Sequence, residues 1–265
     1  MRSRLPRAAE ALRAAGIARL DAEVLLAHAL GKDRAALHRH PRRRLTAAQA
    51  ARFDELVTRR RAGEPVAYVV GRRGFRWLEL DVDPRVLVPR PETEHLVEAA
   101  LELHAGARAI DVGTGSGAVA LALKHERPDL RVFGTDVSEE ALAVARANAA
   151  RLELDVAFVR ADLLGGLTAP LDAVVSNPPY VPDEEPLPAD VDLFEPRIAL
   201  RAGGDGLDVI RALVPQAAAR APFLALEIGA GQADAVVALC RAAGYAEVET
   251  RPDLAGIARV VVARR

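Results

Sequence analysis

The sequence predicts an α/β protein: a sheet with helices on both faces, preceded by a small helical domain. Three observations carry this. From residue 107 onward, strand-like apolar runs alternate with helix-like runs. Residues 5–62 show only helical spacing and no strand signal. A glycine-rich turn joins the first strand-like run to the helix that follows it.

The composition permits such a fold. Of 265 residues, 51% are hydrophobic and 28% charged, enough apolar surface for a core and too much for a disordered chain. A single cysteine, Cys240, excludes a disulfide framework and a cysteine-built zinc site, and fits a cytoplasmic protein. No apolar run approaches the length of a membrane span, and no apolar signal core follows the arginine-rich start, so no membrane association is expected. The net charge of −1 conceals a split. Residues 1–76 hold 18 Lys+Arg against 7 Asp+Glu, and the remainder holds 18 against 30. A basic front on an acidic body suggests two parts with different tasks, although a general bias toward arginine gives the same pattern.

In chain order, Leu12, Ile17, Leu20, Val24, Leu25 and Leu30 recur at helical spacing, punctuated by Gly16 and Gly31. Thr46 is the expected N-cap of a helix through Phe53, Leu56 and Val57, which Gly63 and Pro65 end. The predicted helical domain is 1–62. Residues 63–90 form a hairpin and linker, with strands expected at Val66–Val70 and Phe75–Val82 around Gly71–Gly74. The third part, 91–265, starts with a helix near Pro91, a residue suited to a first helical turn.

Strands are then expected at Ala107–Val112, Arg131–Asp136, Val156–Arg160, Leu171–Ser176, Phe223–Ile228, Ala246–Thr250 and Ile257–Val262. Helices are expected at Gly117–His125, Glu139–Leu152, Gly206–Ala219 and Ala233–Ala243. The last two strands have no helix between them, so they form an antiparallel pair at one edge. The loop Val181–Leu193, rich in acids and prolines, is expected to act as a lid or partner contact, ordered by a Glu195–Arg197 pair. The six histidines show no metal-ligand spacing, and no metal site is expected.

Two motifs carry chemistry. The first is Asp111-Val112-Gly113-Thr114-Gly115-Ser116-Gly117-Ala118. Glycines at a strand-to-helix turn let the backbone approach a ligand, and Asp136, ending the next strand, is placed to accept two ribose hydroxyls. Gly113, Gly115 and Ala118 also satisfy the dinucleotide fingerprint of nicotinamide enzymes, and a tight turn with no ligand has the same shape. Asp111 bears on the choice: a carboxylate sits poorly beside a pyrophosphate and well beside an ammonium and a sulfonium, as in S-adenosylmethionine.

The second motif is Ser176-Asn177-Pro178-Pro179-Tyr180, directly after a strand. Successive prolines lack N–H groups, so the segment presents acceptors. Asn177 Oδ1 and the Pro178 carbonyl can each accept a hydrogen of a planar NH₂ group, on which Tyr180 can stack. Only Asn148 and Asn177 carry the asparagine side chain, which makes an asparagine at this spot more telling. A proline turn with a capping asparagine is the purely structural alternative.

These residues resemble the S-adenosylmethionine-dependent N5-glutamine methyltransferases of peptide chain release factors, the HemK/PrmC family. The resemblance extends to Glu64-Pro65-Val66-Ala67-Tyr68, to Val88-Pro89-Arg90-Pro91-Glu92-Thr93-Glu94, to Phe194-Glu195-Pro196-Arg197 with Ala199-Leu200, and to Gly203-Gly204-Asp205-Gly206-Leu207. It implies a Rossmann-like class I methyltransferase sheet, and a helical domain that helps recruit the release factor. It implies S-adenosylmethionine as cofactor, S-adenosylhomocysteine as product, and the glutamine of a Gly-Gly-Gln loop as methyl acceptor. By position, Asp111, Gly113, Thr114, Gly115, Ser116, Gly117 and Asn177 would contact the cofactor, with Asp136 at the ribose and Asp162 and Leu163 at the adenine. Asn177, Pro178, Pro179 and Tyr180 would hold the glutamine amide, with Asn177, Pro178 and Tyr180 at the reacting group. Thr93 and Glu94 are read either as first-turn helix residues or as part of the cofactor crevice.

A cytoplasmic monomer without direct nucleic-acid binding is expected. The alternative is an adenine-N6 or cytosine-N4 methyltransferase of nucleic acids, which presents the same planar NH₂. Such an enzyme needs a target-reading region, and no insertion of that kind is visible.

Overall fold

The structure, a computed structural model, describes residues 5–265; Met1–Arg4, the start of the arginine-rich segment, lie outside the described residues. The chain divides into two compact units. One comprises the chain up to Arg72 together with Pro188–Phe194, the other Arg73–Leu187 with Glu195–Arg265.

The first unit is helical: α1 (Ala8–Ala14), α2 (Arg19–Leu30), α3 (Arg34–Arg39), α4 (Ala47–Arg61) and α5 (Val66–Val70). Thr46 caps α4, accepting from the Gln49 N–H while the Gln49 side chain accepts from the Thr46 N–H. Leu25, Leu26, Phe53 and Leu56 form its apolar centre. Glu23 faces Arg19, Arg34 and His38; hydrogen bonds from the two arginines lower its carboxyl to about 2.

The run Val66–Val70 is helical, not the strand its β-branched residues suggest. Pro65 stands at its N-cap and Gly71, at φ +80°, ends it. Tyr68 and Val69 are buried. A five-residue apolar run carries no usable periodicity, so packing decides. The hairpin therefore starts later. Its strands are β1 (Arg72–Phe75) and β2 (Leu78–Asp81), and the turn falls at Arg76 and Trp77 rather than at Gly71–Gly74.

After the hairpin come a single 3₁₀ turn at Pro91–Thr93 and α6 (Glu94–Ala100). The alternation then runs β3 (Arg108–Val112), α7 (Ala118–Glu126), β4 (Arg131–Asp136), α8 (Glu139–Leu152), β5 (Ala157–Arg160) and β6 (Ala173–Ser176). It continues with α9 (Ala189–Phe194), α10 (Asp208–Ala218), β7 (Phe223–Glu227), α11 (Ala233–Ala242), β8 (Glu247–Pro252) and β9 (Ala258–Arg264). Thus the end of the expected 181–193 loop is helix α9, and it groups with the helical unit.

The sheet order is β5-β4-β3-β6-β7-β9-β8. The five strands β3 to β7 are parallel; β9 runs antiparallel to β7 and to β8, as the missing helix requires. From β3 the chain moves outward to β4 and β5, then returns to place β6 on the other side of β3. That reversal opens a crevice beyond the carboxyl ends of β3 and β6, where α/β sheets bind ligands. Both chemical motifs follow these two strands, and Asp111 pairs in register with Val175.

Candidate functional site: one cavity between two strand ends

A cavity of about 350 Å³ opens at this reversal. One side, expected from the sequence to face the methyl donor, is the turn after β3. Gly113 and Thr114 donate their N–H groups to the Thr135 carbonyl at 2.8 and 2.9 Å. Gly113 and Gly115 adopt φ of +72° and +56°, and a Cβ at either would meet only open space, so ligand atoms can approach the backbone there. Asp136, at the end of β4, accepts from the N–H of Gly115 at 3.0 Å and of Ser138 at 2.9 Å. These bonds fix the carboxylate and leave lone pairs on each oxygen.

Asp111 is buried at the end of β3 and lines the cavity. Its Oδ2 accepts from the Thr114 hydroxyl at 2.7 Å and from the Ala120 N–H at 3.2 Å. Burial pushes its carboxyl up to about 7 against those two bonds, and the charge of Asp136 adds to the rise.

The other side, expected to face the methyl acceptor, is the segment after β6. Ser176 donates its hydroxyl to the Val112 carbonyl at 2.6 Å, tying the two strand ends together. Asn177 donates Nδ2–H to Thr93 Oγ1 at 3.0 Å. That bond uses one of the two Nδ2 hydrogens, and among the described residues no donor reaches Oδ1, which is free to accept from a ligand. Pro178 and Pro179 line the cavity. Of the two first-turn candidates, Thr93 lines the cavity, while Glu94 instead accepts from the Arg76 N–H in the hairpin turn at 3.1 Å.

The cavity wall also includes Ser116, Asp162 and Leu163. Leu163 has φ +53°, and its carbonyl accepts from the Thr135 hydroxyl at 3.1 Å. Gly117 and Tyr180 are not on the cavity wall. Gly117 begins α7 at φ +84°, where a Cβ would stand 3.0 Å from Leu121 and 3.3 Å from Ala145. Tyr180 points its hydroxyl to Glu227 Oε1 at 3.2 Å, and burial raises its pKa.

Several residues that shape the site escaped sequence reasoning. Glu195 pairs with Arg90 at 2.5 Å and accepts from the Val88 N–H at 3.1 Å; it does not pair with Arg197, so it holds the Val88–Arg90 stretch beside the cavity. Gln232 donates to the Tyr180 carbonyl at 3.0 Å and accepts from the Gly229 N–H at 2.9 Å. Asn148, fully buried in α8, accepts from the Asp81 N–H at 2.8 Å and donates to the Asp81 carbonyl at 2.9 Å and the Ser116 carbonyl at 3.0 Å. It locks the hairpin to the glycine turn. The rarity of asparagine that drew attention to Asn177 pointed equally to Asn148. Glu227, the one acid at the end of the otherwise apolar strand Phe223–Glu227, offered a signal that the sequence reading passed over.

Among the described residues no group of side chains could hold a metal ion, and no helix is long and apolar enough to cross a membrane.

Comparison with known proteins places the chain. Residues 5–71 match the model of the PrmC N-terminal domain, and residues 79–216 match the methyltransferase small domain. A release factor glutamine methyltransferase of Burkholderia pseudomallei is 48% identical, over 95% of this chain and 94% of the relative. One of Deinococcus radiodurans is 42% identical, over all of this chain and 98% of the relative. Among solved structures, a methyltransferase from Pyrococcus furiosus superposes with a TM-score of 0.55 at 20% identity, covering 71% of this chain and 89% of that one. The catalytic domain of human Mettl16, solved with an RNA hairpin, gives 0.57 at 17% identity, covering 82% and 81%. Both structures share the fold. With its near full-length relatives and both domain models in register, the chain belongs to the release factor glutamine methyltransferase family.

Proposed function

We propose that the protein transfers the methyl group of S-adenosylmethionine to the side-chain amide nitrogen (N5) of the glutamine in the Gly-Gly-Gln loop of a peptide chain release factor. The observation that carries this reading is the meeting of Gly113–Ser116 and Asn177–Pro179 on one cavity wall. The first is built for a nucleoside with a cationic tail, the second for a planar NH₂ group.

The residues present fit that cofactor. The open space over Gly113 and Gly115 gives its amino-acid part room against the backbone. The anchored Asp136 carboxylate suits two vicinal hydroxyls, and Asp111 supplies negative charge for an ammonium. Asp162 and Leu163 offer an edge and an apolar face for the adenine. Bound there, the cofactor supplies an electrophilic methyl on a sulfonium.

The chain's own residues deal with the acceptor. A carboxamide nitrogen is a weak nucleophile, because its lone pair is delocalised into the carbonyl. Asn177 Oδ1 and the Pro178 carbonyl each accept one N–H. This holds the NH₂ plane and favours the more positive, more pyramidal nitrogen of the transition state. With its two N–H groups held by Asn177 and Pro178, the acceptor nitrogen would take the methyl from the sulfonium, leaving the thioether S-adenosylhomocysteine, and would then shed one proton to solvent. No strong base is needed, since the proton becomes acidic only as the new bond forms. The helical unit, with its basic surface, recruits the release factor, and the protein works as a cytoplasmic monomer.

The test is mass spectrometry of a purified release factor after incubation with the protein and isotope-labelled S-adenosylmethionine. One labelled methyl on the glutamine of the Gly-Gly-Gln loop is the expected result. An unmodified glutamine alongside methyl transfer to nucleic acid would overturn the reading.

A further inference from the structure

Glu227 lies behind the acceptor segment, away from the cavity wall. It ends β7, the strand paired with β6, and it is 1% exposed. The residues before it, Phe223 to Leu226, are all apolar. An acid there is costly, and burial pushes its carboxyl up to about 7. Only Oε1 has a hydrogen-bond partner, the Tyr180 hydroxyl at 3.2 Å; Oε2 is buried without one. The Thr93 hydroxyl favours the ionised carboxylate from close by, at a geometry short of a hydrogen bond. No ion pair offsets the cost. Arg259 lowers the carboxyl's pKa from a distance but is bound to Asp253 at 3.1 Å, and Glu92 raises it. A buried, half-satisfied acid of this kind needs an explanation other than stability.

Hydrogen-bond polarity supplies one. A threonine hydroxyl can either accept from an asparagine NH₂ or donate to an asparagine oxygen. The second arrangement turns the amide over and aims NH₂, not Oδ1, at the ligand. A carboxylate behind Thr93 attracts the hydroxyl proton and leaves the oxygen to accept from Asn177. The same carboxylate draws the Tyr180 proton inward and holds the end of the acceptor segment.

We propose that Glu227 is the positioning residue of the acceptor pocket, acting through Thr93 and Tyr180 to keep Asn177 Oδ1 turned toward a primary carboxamide. The inference rests on the glutamine reading above for its substrate. Its physical content, the coupling of Glu227 to Asn177, does not depend on that reading. When Glu227 is protonated, the polarity is lost and the pocket accepts a carboxamide less well. Turnover therefore rises as pH passes upward through about 7.

The experiment compares the intact wild-type protein with Glu227→Gln, Thr93→Val and Thr93→Ser. Two readouts are taken: turnover on the release factor against pH, and the side-chain NH₂ signals of ¹⁵N-asparagine-labelled protein. The chain has only two asparagines, so an Asn177→Ala spectrum assigns the signal. In wild type, the Asn177 signal should titrate near pH 7 and turnover should rise with it. With cofactor saturating at every pH, which removes the contribution of Asp111 to binding, both inflections should vanish in Glu227→Gln, with kcat lower by roughly tenfold or more. S-adenosylhomocysteine affinity should stay within about twofold. Thr93→Val should lose turnover in the same way, and Thr93→Ser, which restores the hydroxyl, should recover it. Wild-type turnover and an unchanged Asn177 titration in Glu227→Gln would overturn the proposal while leaving the glutamine reading intact. Titration of Asn177 that depends on Glu227, in a protein that does not methylate release factor, would instead uphold the coupling and sink the reading of the substrate.

Discussion

The two halves of the cavity are built differently, although each is backed by a buried acid at a strand end. On the donor side, Asp111 is held locally: its bonds go to Thr114 and Ala120, three and nine residues away. The rest of the glycine turn is held by the next strand and helix, through Thr135, Asp136 and Asn148, at most 32 residues away. On the acceptor side, the partners come from far along the chain. Asn177 meets Thr93 across 84 residues, and Tyr180 meets Glu227 and Gln232 across 47 and 52. On the function proposed above, backbone shape does most of the work of cradling the cofactor. Gripping a flat amide in one orientation requires side chains whose own hydrogen bonds are decided elsewhere.

The largest effect expected from breaking this contrast is on the acceptor side. Gly206 has φ +73°, and a Cβ there would stand 2.1 Å from the Tyr180 carbonyl oxygen. Gly206→Ala should cost roughly 3 kcal/mol of stability, from the left-handed backbone and the forced shift together. Displacing the segment by even about 1 Å should lower turnover by roughly 100-fold. Thermal melts and steady-state rates check both; a variant with normal turnover would show that the segment's position is not fixed by this contact.

Asn148→Ala probes the donor side. Two Asp81 backbone groups and the Ser116 carbonyl lose this partner, at a cost of about 2 kcal/mol. Because the damage falls on the glycine turn, cofactor affinity measured by calorimetry should weaken by about tenfold, and saturating cofactor should restore most of the turnover. Loss of turnover at unchanged affinity would contradict the division of labour.

The smallest effect concerns pH. The Asp111 carboxyl stands at about 7 in the folded chain against an ordinary value of 3.8. Between these values the folded chain holds a proton that the unfolded chain has released, so stability falls as pH rises from about 4 to 7. Asp111→Asn removes that share, and Tm should decline over this window less steeply than in wild type. Cofactor affinity in wild type should rise with pH toward about 7, as ionised Asp111 meets the ammonium, and the variant should lack that rise. An unchanged Tm profile would mean that Asp111 ionises freely.

Sequence reading reached the donor side more fully than the acceptor side, for the same reason. The parallel strands announce themselves as apolar runs, and β4 and α8 fall on their expected bounds, Arg131–Asp136 and Glu139–Leu152. Gly113 and Gly115 mark a turn whose meaning is local. Val66–Val70 misled because a short apolar run between Pro65 and Gly71 fits one helical turn as well as a strand, and burial of Tyr68 and Val69 chose the helix. Glu195 misled because Arg197 was its neighbour in sequence, whereas Arg90 is its neighbour in space. Thr93 lay in a recognised motif and was a crevice candidate, but Glu227 and Gln232 carry no motif that ties them to Tyr180; only the sheet order brings them together.

On the function proposed above, Asn177 acts mainly on the acceptor and only weakly on the cofactor. The most direct measurement is Asn177→Ala, with S-adenosylmethionine affinity by calorimetry and methyl transfer to release factor in a single turnover on the same preparation. The account expects transfer to drop by about 10²–10³-fold, with affinity changed by no more than about threefold. Affinity lost in step with transfer, or transfer at the wild-type rate, would contradict it.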